Sequence, residues 1–126
     1  MSVGGELLIE TAARTPALAA TVSEGAGIRS VGEHMHRAGI GKWITLPLHA
    51  NMTLSTAVFS NQLPPPDLAD LIGEIAPRSV LLIQAQQAQG GEELNPVYFA
   101  AAGDPKALWL VPDSTHVGGL EAQPVE

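Results

Sequence analysis

RSVLLIQAQ, residues 78–86, is the stretch that decides the fold class. Val80, Leu81, Leu82 and Ile83 follow one another without a polar residue, with Pro77 close before them and a Gln-, Ala- and Gly-rich stretch after. A strand with one wet face alternates apolar and polar residues, so an unbroken run of this length predicts a strand buried on both faces, as in a parallel sheet. The flanking sequence fits that layer. Upstream, DLADLIGEIAP (residues 67–77) predicts a helix with Asp67 as N-cap, Leu68, Leu71, Ile72 and Ile75 on one face, and Pro77 as the stop. Downstream, GEELNPVYFAAAG (residues 91–103) predicts a helix that holds Pro96 in its first turn and closes at Gly103. KALWLVP (residues 106–112) then reads as a further strand, and DSTHVGGLEAQP (residues 113–124) as the loop beyond it.

The N-terminal part adds one more helix and strand. Leu7, Leu8, Ala12 and Ala13 recur near a 3.6-residue period between Gly4 and Ala19, and Pro16 marks the helix stop. LAATVSEGAG (residues 18–27) reads as a short buried strand that breaks into a polar loop. Residues 28–66 differ: glycines, Pro47 and the run Pro64-Pro65-Pro66 interrupt short helical pieces such as LHANMTLSTAVFS, which predicts an excursion from the core layer. The order of elements is that of an α/β layered fold with a parallel sheet. Three strands leave an edge unpaired and one face poorly covered.

Composition narrows the function. A chain of 126 residues supports one modest domain, and without cysteine it has neither disulfides nor thiolate sites. The net charge of -7 and six scattered basic residues exclude the clustered Lys and Arg that a nucleic-acid surface needs. No apolar stretch reaches the roughly 18–20 residues of a membrane span, and no secretory signal pattern opens the chain, so the default compartment is the cytoplasm. EHMH (residues 33–36), with His49, is the one cluster of potential zinc ligands, but His34 and His36 at i, i+2 diverge on a strand and on a helix alike. No metal and no cofactor is expected.

The chain opens MSVGGELLIETAAR and approaches its end with LWLVPDSTHVGG. The first resembles the latter part of the nucleophile elbow of α/β-hydrolases, Gly-x-Ser-x-Gly, and the second resembles the last core strand of that fold with its histidine loop. Stretches similar to TAVFSNQLPPP, IAPRSVLLI, ELNPVYFAAAGDPKALWLVP and HVGGLEAQP extend the resemblance to nearly the whole chain, within the dienelactone-hydrolase-like and acyl-CoA-thioester-hydrolase-like branches. The resemblance implies a C-terminal part of an α/β-hydrolase fold: residues 1–27 as elbow, helix and strand, 28–66 as a lid-like insertion, and 67–126 as the C-terminal core with acid and histidine loops.

It further implies a serine hydrolase of small esters or thioesters, with Ser2 as nucleophile, Val3 as an oxyanion donor through its backbone N–H, and His116 as base. Three carboxylates compete for the acid, with Glu92 ahead of Glu24 and Glu93 third. Trp43, Leu46, Leu48, Met52, Leu54, Val58 and Phe59 are expected either to line an acyl pocket or to form the lid's own small core. The strand that would hold the elbow's strain precedes Met1 in such a fold, so the chain as given is expected to show little or no turnover. A non-catalytic small α/β binding module, and acyl transfer on the same fold, are the competing readings.

Overall fold

The structure is a computed structural model that describes residues 3–116 and 118. In chain order its elements are α1 (Val3–Arg14), β1 (Ala20–Glu24), α2 (Val31–Met35), α3 (Gly41–Ser60), α4 (Leu68–Gly73), β2 (Ser79–Gln87), a 3-10 turn (Glu92–Leu94), α5 (Asn95–Ala101) and β3 (Lys106–Thr115). The strands form a parallel sheet in the order β1-β2-β3. β2, the strand built on the apolar run, is the central one: Val80 pairs with Thr21 and Lys106, and Ile83 with Glu24 and Trp109.

One face of the sheet carries the core. Ile9 and Ala12 of α1, Leu68, Leu71 and Ile72 of α4, and Leu94, Tyr98 and Ala102 in and around α5 close over Val80 and Leu82. Burying each large aliphatic side chain here contributes about 1.5–3 kcal/mol. Arg78, directly before β2, ties the layer together, donating through Nη1 to the carbonyls of Ala12 at 2.7 Å and Thr15 at 3.0 Å, where α1 ends. The opposite face is open among the described residues. Val22 is 54% exposed and Trp109 43%, and Leu81 and Ile83 of β2 are half-buried. The expectation of a poorly covered face describes this sheet, and the expectation that β2 is buried on both faces does not: no described element packs over Leu81 and Ile83, which stay half-buried.

Several local expectations differ from what forms. β1 alternates, with Thr21 and Ser23 buried and Val22 exposed, because it is an edge strand covered on one side only. The predicted helix over 91–103 splits into the 3-10 turn and α5, since Pro96, lacking an N–H, fits the first turn of α5 and not a helix interior. β3 runs on through Asp113 and Thr115, with a register shift against β2 between Ala85 and Gln87, so the predicted loop begins later. The short helical pieces of the excursion are one 20-residue helix, α3, which continues through Pro47.

Asp67 stands at the N-cap of α4 in extended conformation, but its side chain makes no capping bond. The Leu68 N–H is instead accepted by Glu33 Oε1, from 35 residues earlier in the chain. The same buried carboxylate accepts from the N–H of Arg29 at 2.9 Å and of Ser30 at 3.3 Å, while Ser30 Oγ accepts from Glu33 N–H at 2.9 Å. This is a capping box whose acid also caps a second helix. It joins the excursion to the core.

Candidate active site

The carboxyl ends of the three parallel strands lie along one edge of the sheet, where open α/β folds place their ligands. β1 ends at Glu24, and the start of α1 packs against that end. A Cβ on Gly5 would lie 2.8 Å from Ser23 Oγ and 2.9 Å from the Glu24 carbonyl, so only glycine allows the helix this close. Ser23 Oγ donates to the Gly5 carbonyl at 3.2 Å. Val3 is the first residue of α1, and its N–H is one of those that an α-helix leaves without an internal acceptor.

After β2 the chain turns through Gly90 and Gly91 into the 3-10 turn. Gly91 has φ +106°, and a Cβ there would lie 2.5 Å from Ile28 Cγ1 and 2.6 Å from Ile28 N. This loop is therefore pressed against the loop that follows β1, and glycine is required both by conformation and by space. The turn carries Glu92 inward. Its carboxyl is fully buried, with Oε1 accepting from the Ala85 N–H at 2.7 Å and Oε2 2.6 Å from His116 Nδ1.

His116 follows the last residue of β3 and is partly exposed. An imidazole whose Nδ1–H is held by a carboxylate presents Nε2 as its basic nitrogen. Of the three carboxylates weighed for this partnership, Glu92 makes it. Glu93 faces the other way, pairing with Arg37 Nε at 3.0 Å and accepting from the Gly91 N–H at 2.8 Å, so it fastens the loop to the end of α2. Glu24 terminates β1 and is half-buried. Ser2, the expected nucleophile, lies outside the described residues.

A cavity of about 540 Å³ opens between the start of α1 and the inner side of α3, lined by Val3, Glu6, Ile28, Met52, Thr56 and Leu63 among others. Glu6, in the first turn of α1, is almost wholly buried here. Burial pushes its carboxyl above the usual range, opposed by the charge of Arg29 and the backbone N–H of Gly27. Arg29 pairs with Glu10 at 2.6 Å. Tyr98 beneath donates its hydroxyl to the Gly27 carbonyl at 2.8 Å, and burial, with Glu33 and Glu6 nearby, keeps that hydroxyl protonated well above the ordinary phenol range.

The expected acyl-pocket residues divide. Met52 lines this cavity, and Leu48 lines a smaller one of about 200 Å³ with His34 and His49. Leu46 is half-buried, Leu54 and Val58 border shallow clefts with Pro64 away from the Glu92–His116 pair, and Trp43 and Phe59 are exposed; α3 has no buried residue, so a small lid core does not describe them. His34 and His49 stack with centroids 4.9 Å apart, and their Nε2 atoms are engaged by Lys42 O and Ser30 O, each at 3.1 Å. Among the described residues no group of three or more His, Asp or Glu is placed to hold a metal.

The sequence reading missed the double cap at Glu33, although the spacing of Ser30 and Glu33 in SVGE is a visible capping-box signal. It also missed Glu6 as a buried carboxyl on the cavity wall. Among the described residues no helix is long and apolar enough to cross a membrane.

No known family matches the chain, and no curated protein does. The fold is similar to the crystal structure of the hypothetical protein PA2218 from Pseudomonas aeruginosa, with a TM-score of 0.62 and 15% identity. The similarity covers 95% of this chain and 54% of that one, so the chain spans about half the length of its structural neighbour.

Proposed function

We propose that this chain carries the acid–base pair of a serine hydrolase of the α/β-hydrolase type, acting on small esters or thioesters, with residues 28–66 as its lid. The observation behind the reading is the buried Glu92 carboxylate 2.6 Å from His116 Nδ1, at the carboxyl edge of a parallel sheet. Ser2, immediately before α1, is the nucleophile. His116 Nε2 takes the proton from Ser2 Oγ as Oγ bonds to the carbonyl carbon, and Glu92 stabilises the imidazolium that forms. The carbonyl oxygen, now an anion, is held by the Val3 N–H. Collapse breaks the bond to the alcohol or thiol, which leaves with the proton from His116. Water then attacks the acyl-serine, giving its proton to His116, and the acid is released as that proton returns to Ser2. The cavity between α1 and α3 is where the acyl or leaving group fits best, since it begins at Val3 and is mainly apolar.

The test is covalent capture. A fluorophosphonate probe is offered to the protein and the adduct located by peptide mass spectrometry. An adduct on Ser2 that is lost in His116→Ala supports the reading, and an adduct on Ser2 indifferent to His116 contradicts it.

A further inference from the structure

The helix α3 exposes most of its large apolar side chains. A surface helix normally turns its apolar stripe to the core and its polar side to water. Here the partly buried side carries Lys42, Leu46, His49, Ala50, Thr53 and Ala57, with Leu46 its one large apolar residue. The outer side carries Trp43, Ile44, Leu48, Leu54, Val58 and Phe59, with exposures from 56% at Trp43 to 90% at Phe59. At 3.6 residues per turn these six fall within about half of the helix circumference. They form a largely apolar face along a 20-residue helix, interrupted by exposed Asn51 on the stripe between Ile44 and Val58 and by Ser55 beside it.

Two features say what that face meets. The first is charge: the chain has 13 acidic residues, yet no Asp or Glu lies between Glu33 and Asp67. The cations of the same stretch are spent locally, Arg37 on Glu93 and Lys42 Nζ on the Met35 carbonyl at 2.9 Å. The face is thus apolar and uncharged, which matches a medium that penalises ions. The second is area. A helix of 20 residues is about 30 Å long and about 10–12 Å across, so half its surface is on the order of 500 Å². A stable protein interface buries about 800 Å² per partner. The face is too small to hold a second copy alone, whereas binding at a lipid boundary strengthens continuously with the apolar area inserted.

We infer that α3 docks the protein on an uncharged, zwitterionic lipid surface, lying in the interface plane with Trp43 and Phe59 inserted toward the acyl chains. The net charge of -7 opposes approach to an anionic surface. This inference uses no residue of the Glu92–His116 pair, although α3 belongs to the lid of the hydrolase reading; loss of lipid binding in the variants leaves labelling of Ser2 as the separate test of that reading.

The test uses the whole chain in a Trp109→Phe background, so that Trp43 is the fluorophore, with phosphatidylcholine vesicles. Trp43 emission is expected to shift to the blue, to be quenched by brominated acyl chains, and to sediment with the lipid. Ile44→Glu with Val58→Glu should lower vesicle partitioning at least tenfold. Both sites are exposed, and an unchanged far-UV circular dichroism spectrum confirms that the fold is kept; if the spectrum changes, Phe59→Ser serves as the second variant. Unchanged Trp43 emission with lipid overturns the inference, as does equal partitioning of the folded variants, which would assign binding to the open sheet face. A dimer in sedimentation velocity that the Glu variants dissociate assigns the face to a second copy and also overturns it. Stronger binding to vesicles with phosphatidylglycerol overturns the choice of an uncharged surface.

Discussion

Replacing Glu33 by Ala should be among the most destabilising single changes in this protein. The carboxylate accepts from three backbone N–H groups, of Arg29, Ser30 and Leu68. Ala leaves all three donors without an acceptor, and an unsatisfied buried donor costs about 1–3 kcal/mol. The three do not add fully. Arg29 is only partly buried, and its N–H can recover water. The wild-type carboxylate is itself penalised, because burial raises its pKa above the usual carboxylate range despite the three donors, with Asp67 raising it further. Deletion relieves that penalty. The balance is a loss of roughly 3–5 kcal/mol, at the upper end of single-site effects. Urea unfolding followed by circular dichroism measures it, and amide exchange should show the Leu68 N–H losing protection first. A loss below about 1 kcal/mol, or exchange at Leu68 unchanged, would refute the view that one side chain caps two helices.

Three further outcomes follow from the same geometry. Glu92→Gln keeps an acceptor for the Ala85 N–H but turns an amide N–H₂ toward His116, which forces the ring proton onto Nε2. Labelling of Ser2 by the probe should fall to the level of His116→Ala, while stability changes by only about 1–2 kcal/mol. Gly91→Ala should cost about 2–4 kcal/mol in urea unfolding, because φ +106° is strained for alanine and the new Cβ meets Ile28. Glu6 gives a pH dependence of known sign. Its folded-state carboxyl holds a proton more tightly than an exposed one, so its contribution to stability is present below the ordinary carboxylate range and is lost as pH rises through and above it. Between pH 4 and 7 the urea midpoint of Glu6→Gln should therefore gain on the wild type, and a gap independent of pH would contradict the burial of this group.

What could be read from the sequence follows from where each signal acts. The run Val80–Ile83 gave the central strand, because an unbroken apolar run of strand length fits a parallel sheet, but not its burial, since Leu81 and Ile83 face the open side. Leu68, Leu71 and Ile72 gave α4 because their spacing is the helix period, and Pro96 fell in the first turn of α5 because proline leaves few other places. The excursion was not legible, since periodicity arguments turn apolar residues inward and α3 turns Ile44, Val58 and Phe59 outward. The cap of α4 was missed because Glu33 reaches it across 35 residues, beyond any local pattern. Glu92 and Glu93 are neighbours of the same type, and the sequence could rank them but not separate them. Their roles diverge because Gly91 sets the turn so that one carboxylate points to His116 and the other to Arg37.

The pairing of Glu92 with His116 is tested most directly by nuclear magnetic resonance of the imidazole nitrogens. The account predicts a His116 Nδ1–H proton far downfield of the amide region, with Nε2 unprotonated in the neutral ring, and loss of that resonance in Glu92→Ala. A neutral His116 with its proton on Nε2, or a downfield resonance that survives Glu92→Ala, would contradict it.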